Sequence, residues 1–208
     1  MLQPSLFADE PMDLPDGLRY QADFLSREEE AGLLRIVASL PLAPMQYKGF
    51  SARREVLSFG GSYDFSAGRL DDAPGIPVEL EPLRLRVAQW AGLAQQALAH
   101  ALVARYTQGT PLGWHRDVPE FEDILGVSLA GDAVMRLRPW PPREPRRAAV
   151  RKLVVAPRSI YLMRGPARWA WQHSVAPVGG LRYSITFRTR RGRLPVPAAT
   201  VSPPAREP

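Results

Sequence analysis

The chain has 208 residues, 45% of them hydrophobic and 23% charged, with a formal net charge of +6 at pH 7. That balance suits a globular protein with its own core. No run approaches the ~18–20 apolar residues of a membrane helix, and acids stand where a secretory leader would be basic and then apolar, so a soluble, cytoplasmic protein without a membrane partner is expected. With no cysteine, disulfides, thiolate-bound zinc and a cysteine nucleophile are excluded, and any metal must be held by nitrogen and oxygen.

Residues 1–18 are rich in Pro and Asp, lack periodicity and read as a loosely ordered lead-in. In "LSREEEAGLLRIVASL", Ser26 and Glu29 form a capping-box pattern, and Leu33, Leu34, Val37 and Leu40 share a helical face that Pro41 ends. Residues 45–66 read as short strands with a Gly60-Gly61 turn, and 68–77 as a loop. A second helix is expected over 78–96, with Leu80, Leu83, Val87, Trp90 and Leu93 at helical spacing.

From residue 99 the pattern becomes strands: "HALVARY", then "ILGVSLA" and "AVMRLRP" joined as a hairpin at Gly131-Asp132, then "RKLVVA", "RSIYLMR", "WAWQH" and "RYSITFRT". Helices followed by many short strands predict an α+β fold. Its core would be a β-sandwich or jelly roll (a double-stranded β-helix) buttressed by N-terminal helices. Residues 19–191 are expected to form one domain, and the proline-rich tail, 192–208, to be disordered.

The chain has only three histidines, His100, His115 and His173. In extended backbone, residues i and i+2 point the same way, so His115 and Asp117 can bind one ion. His173 is the only plausible third ligand downstream, on a face shared with Trp169 and Trp171. Two histidines and a carboxylate make the facial triad of non-haem iron(II) oxygenases, which leaves three coordination positions open. The same ligands accept Zn, Mn or Co. In "LRYSITFRT", Leu181, Tyr183, Ile185 and Phe187 form an apolar face suited to the core of a sandwich, and Arg182, Ser184, Thr186 and Arg188 form the other. Two arginines separated by ~20 Å of strand and facing one pocket leave room for a small dicarboxylate, which arginine binds bidentately.

With those residues in place, the sequence resembles the AlkB-type iron(II)/2-oxoglutarate dioxygenases over roughly residues 17–190, through "ARYTQGTPLGWHRD", "ILGVSLAGDAVMRLRP", "SIYLMRGPARWAWQHSVAP" and "RYSITFR". The segment "ARREVLSFGGSYDFS" is similar to that family's substrate lid. The resemblance implies that His115, Asp117 and His173 are the catalytic iron ligands, that Tyr106 and Arg182 hold the distal carboxylate of 2-oxoglutarate, and that Arg188 binds nearer the iron. It points to Arg54, Tyr63, Trp114 and Glu120 as substrate contacts. Fe(II), 2-oxoglutarate and O2 would hydroxylate an N-alkyl group on a nucleobase, releasing formaldehyde from an N-methyl.

Two positions depart from the family pattern. Ala104-Arg105-Tyr106 replaces Asn-x-Tyr and removes an amide donor to the cosubstrate. Pro119, followed by Glu120, stands where many repair members carry an acid, which leaves the substrate open.

The expected partner is nucleic acid, met single-stranded or with its base flipped, and the expected state is a monomer. Tyr47, Phe59, Tyr63, Trp114 and Trp171 are candidate stacking aromatics. "RLRPWPPREPRRAAVRK", with Arg138, Arg143, Arg146, Arg147, Arg151 and Lys152 against Glu144, either tracks phosphates or is a solvated loop. The alternatives are a hydroxylase or demethylase acting on tRNA or protein, and a non-catalytic nucleic-acid-binding module.

Overall fold

The computed structural model describes residues 13–47, 50–64, 67–142 and 150–192; of Gln46, Tyr47, Phe50 and Leu70 it describes the backbone alone. The elements in chain order are β1 (Leu18–Gln21), α1 (Arg27–Ser39), β2 (Ala43–Tyr47), β3 (Phe50–Phe59), β4 (Ser62–Asp64), β5 (Arg69–Asp71) and α2 (Glu81–Ala91). They continue with β6 (Leu98–Tyr106), β7 (Leu112–His115), β8 (Phe121–Leu129), β9 (Ala133–Pro139), β10 (Arg151–Val155), β11 (Ile160–Met163), α3 (Gly165–Trp169), β12 (Trp171–Val175) and β13 (Arg182–Arg190).

α1 starts where its sequence says it should. Ser26 Oγ accepts from the Glu29 amide, and a Glu29 carboxylate oxygen accepts from the Ser26 amide, closing the capping box. Leu33 and Val37 are its buried residues. α2 is shorter than its periodicity suggests. Gly92 takes a left-handed conformation at φ 68°, and its amide donates back to Ala88 and Gln89. That cap ends the helix before residue 96.

The strands form two antiparallel layers and a small ribbon. The large sheet has the order β1-β11-β8-β13-β6-β3-β2, the second sheet β10-β9-β12-β7, and β4 pairs with β5. The Gly131-Asp132 turn is therefore not a hairpin. Both edges of β8 are already taken, by β11 and β13, so the chain crosses to the second sheet, where β9 pairs with β10 and β12.

Alternation along the strands separates the apolar clusters. Val103, Val127, Ile185 and Phe187 pack with Leu33, Val37, Leu80, Leu83 and Val87 from the helical segments. Ile124, Met135, Leu137, Leu153, Val155 and Tyr161 form a second cluster, with strand residues from both sheets. The apolar face of β13 thus packs against helices, and its arginine-bearing face looks between the sheets. Leu181 stands outside the strand and is 52% exposed. Gly126 on β8 is obligatory, because a Cβ there would lie 2.2 Å from Tyr161 Cζ.

The segment before His173 also differs from expectation. Gly165, at φ 50°, and Pro166 open a short helix that includes Trp169. Of Trp169, Trp171 and His173, the last two therefore lie on β12 and share a face of it. The lead-in up to residue 12, the tail from 193, the Tyr47 side chain, and Arg143, Glu144, Arg146 and Arg147 lie outside the described residues.

Candidate active site

Register builds this site as cross-strand pairs. β12 runs antiparallel to β7 with His173 directly opposite His115, and the two rings lie 4.1 Å apart. Asp117 follows two residues after His115, and its Oδ2 is 3.6 Å from His173 Nε2. Ligand atoms of all three residues lie within 4.8 Å of one another. One ion can be held by this donor set with its other positions open.

The large sheet contributes two more pairs. β13 sets Arg182 opposite Tyr106 on β6, and Arg188 opposite His100. Arg188 donates to Asp117 Oδ1 from Nε at 3.0 Å and from Nη2 at 2.8 Å. Its Nη1 stands 3.2 Å from His100 Nδ1. Oδ1 is thereby occupied, and Oδ2 is left toward the histidines. His115 Nδ1 lies 2.9 Å from the Gly113 carbonyl. A carbonyl only accepts, so Nδ1 carries the proton and Nε2 keeps its lone pair for a metal.

Arg182 is 3% exposed. Its Nε donates to Ser128 Oγ at 3.1 Å, its guanidinium lies 5.0 Å from the centre of the Tyr106 ring, and its Nη1 is buried without a partner. An unpaired buried guanidinium nitrogen at the wall of a cavity suits a carboxylate ligand. Arg54 Nη1 donates to the Tyr106 hydroxyl at 3.4 Å.

Two cavities meet at His115 and Asp117. The inner one, about 40 Å³, lies between the sheets and is lined by Arg182, Tyr106 and Arg188 as well as the triad. The outer groove, about 760 Å³, is walled by β2, β3 and β7 and shares Arg54, His115, Asp117 and Arg188 with the inner cavity. Tyr63 and Trp114 line this groove. Arg138 and Arg136 stack over Trp114 at 4.3 and 5.4 Å.

Glu120 lines neither cavity. It directly precedes β8, and its carbonyl accepts from the Arg191 amide. Phe59 belongs to the helix-facing core, and Trp171 packs against the second core beneath the Arg151 guanidinium. Neither lines the groove.

Burial raises the Asp117 carboxyl, but Arg188, His173, His115 and Arg168 overcome it and hold the group well below the usual carboxylate range. Burial, reinforced by His115, lowers His173 to about 3. Burial, reinforced by Arg188, lowers His100 to about 3. For these depressed histidines the unfolded chain binds more protons between about 3 and 6.5. Their stabilising contribution is therefore full above that window and is lost as pH falls through it. The melting temperature of the metal-free protein should drop between about pH 7 and pH 5, and His100→Gln should flatten the drop. Equal slopes for the two proteins would refute the assignment to His100.

One residue escaped the sequence reading. Arg168 on α3 is 3% exposed, and its Nη2 donates to the carbonyls of Asp117 at 3.1 Å, Val118 at 2.8 Å and Phe121 at 2.9 Å. It pins the backbone that presents the Asp117 carboxylate. The only hint in the sequence is an arginine inside the Gly165-Pro166 turn.

A model of the 2OG-Fe(II) oxygenase superfamily matches residues 17–188. The chain is 30% identical over 182 residues to the human DNA oxidative demethylase ALKBH2, covering 81% of this chain and 68% of that protein. It is 26% identical over 169 residues to the Xenopus tropicalis tRNA (carboxymethyluridine(34)-5-O)-methyltransferase alkbh8, covering 79% of this chain and 26% of that protein. The solved structure of OsALKBH1 superimposes with a TM-score of 0.67 at 17% identity, over 85% of this chain and 97% of that one, a likeness of jelly-roll fold. The chain belongs to the 2OG-Fe(II) oxygenase superfamily, as an AlkB-type dioxygenase that uses Fe(II), 2-oxoglutarate and O2.

Proposed function

We propose that the protein oxidatively removes alkyl groups from nucleic acid bases, in DNA repair or on RNA, and that residues 19–191 form its single catalytic domain. The carrying observation is the meeting of two unlike cavities at His115 and Asp117. One is small and lined by three arginines, and the other is a groove of about 760 Å³, within the range of small-molecule and cofactor pockets.

In this reading His115 Nε2, Asp117 Oδ2 and His173 hold Fe(II), and Arg182 with Tyr106 holds the distal carboxylate of 2-oxoglutarate. Once bound, the iron, 2-oxoglutarate and O2 supply the oxidising power to hydroxylate a C–H bond next to nitrogen. The chain's own groups orient the ligands. Arg188 fixes the Asp117 carboxylate, and the Gly113 carbonyl fixes the His115 tautomer. The groove admits a base that has left its stack. Beside it, Arg136 and Arg138 over Trp114, and Arg116 over Trp140 at 5.1 Å, offer cationic and aromatic surface to a phosphate backbone.

Pro119 supports a second reading, a hydroxylase or demethylase acting on tRNA or protein, because no acid stands two residues after Asp117. The intact triad and both arginines weigh against a non-catalytic binding module. The test supplies Fe(II) and 2-oxoglutarate with oligonucleotides bearing 1-methyladenine or 3-methylcytosine, then with tRNA and protein, and measures formaldehyde and substrate-driven succinate. Formaldehyde from the oligonucleotides is expected. Succinate driven only by tRNA or protein would replace the first reading with the second.

A further inference from the structure

We propose that Arg54 is a second cationic anchor for the distal carboxylate of 2-oxoglutarate, acting with Arg182 and Tyr106. This rests on the reading of the inner cavity as the cosubstrate pocket.

Three guanidiniums line that cavity, from Arg54, Arg182 and Arg188, against one carboxylate, Asp117. Asp117 is engaged by Arg188, so the other two face no anion there. Arg182 leaves Nη1 buried and unpaired, and Arg54 leaves Nε in the same condition. The remaining contacts of Arg54 are weak. Nη1 reaches the Tyr106 hydroxyl at 3.4 Å, and Nη2 points to the thioether of Met45 at 2.8 Å, a poor acceptor. Arg182 is buried and Arg54 half-buried beside the same tyrosine, and such a pair of cations is costly until an anion joins them.

The strand pairing explains why Arg54 takes this place. β3 pairs with β6 so that Val56 lies opposite Ala104 and Glu55 opposite Arg105. By alternation Arg54 then faces the same side as Ala104 and Tyr106. Ala104 lines the cavity too, and its methyl group donates nothing. Donors to an anion at this end must come from Tyr106, Arg182 and the neighbouring strand, and Arg54 is the residue β3 supplies. No carboxylate partner for Arg54 occurs among the described residues, and the proline at position 119 leaves the nearby loop without one at that point. Arg54 also lines the outer groove, where a phosphate or a base of the substrate is the competing occupant.

The test is calorimetric binding of 2-oxoglutarate, without O2, to the full-length protein loaded with Mn(II), for wild type, Arg54→Gln and Arg54→Lys. A parallel titration uses 2-oxoglutaramate, which has the same length but ends in a neutral amide. Arg54→Gln should weaken 2-oxoglutarate binding by about tenfold or more, the scale of a lost charge-assisted hydrogen bond, and should weaken 2-oxoglutaramate much less. Arg54→Lys keeps the charge and should retain part of the preference for the carboxylate. It also answers the question if the glutamine variant melts at ordinary temperature.

Affinity for 2-oxoglutarate within about twofold of wild type in both variants would overturn the proposal. Methylated single-stranded DNA is titrated alongside, and a loss confined to it would move Arg54 to the groove and overturn the proposal equally. If wild-type protein binds Mn(II) but no 2-oxoglutarate, the pocket assignment itself falls. A variant defect against a normal wild type concerns Arg54 alone.

Discussion

Asp117→Ala should lose metal binding and turnover together, by more than about a hundredfold, since even the outer partners of metal ligands are worth about 10–100-fold. Asp117 has two roles. Oδ2 stands among the imidazoles, and Oδ1 accepts from Arg188. Arg188 and the histidines hold its carboxyl below the ordinary range against the effect of burial, so it is ionised at neutral pH. Removing it also strands the Arg188 guanidinium, 11% exposed at its side chain, beside His100 and the Phe121 ring. Breaking a buried pair from one side costs about 3–5 kcal/mol, so the metal-free variant should also melt lower. Titration with Co(II), followed by its visible absorption, separates these effects. A folded Asp117→Ala protein that binds Co(II) as wild type does would remove Asp117 from the metal site.

Arg168→Met is expected to give the second largest effect, although Arg168 touches neither metal nor cosubstrate in the proposed site. The substitution leaves three carbonyls, those of Asp117, Val118 and Phe121, without their shared donor. It also removes a cation that helps hold Asp117 ionised. The Val118 carbonyl keeps the Phe121 amide at 3.3 Å, but a buried acceptor left unsatisfied costs about 1–3 kcal/mol, so a drop in melting temperature should accompany metal affinity lowered by about 10–100-fold. Arg168→Lys keeps the charge and three N–H donors on a shorter reach, and should recover part of the metal affinity. If melting falls but Co(II) affinity of the folded fraction is unchanged, Arg168 supports the fold and does not position the ligand.

The legible part of the site was local in character. His115 and Asp117 sit two residues apart, and Arg182, Ser184, Thr186 and Arg188 alternate with Tyr183, Ile185 and Phe187. Side-chain alternation in a strand needs no knowledge of the partner strand. The capping box of α1 was readable for the same reason. Its hydrogen bonds close within three residues.

The remainder depended on partners distant in the chain. Gly131-Asp132 has hairpin chemistry, yet β8 already has neighbours on both edges, and edge occupancy is not written in a turn. Trp169 fits an alternating pattern, yet Pro166 starts a short helix, and that helix carries the unforeseen Arg168. Glu120 is adjacent to the metal segment in sequence but outside both cavities.

By itself the sequence determined which residue types could hold a metal and a dicarboxylate, because with no cysteine and three histidines few choices existed. Only the tertiary structure decided that His115 faces His173, that Arg182 faces Tyr106 and that Arg188 faces His100. It also decided that Arg54 joins the inner cavity with no anion beside it. Those outcomes follow from strand register, which is set by core packing summed over whole sheets rather than by any one segment.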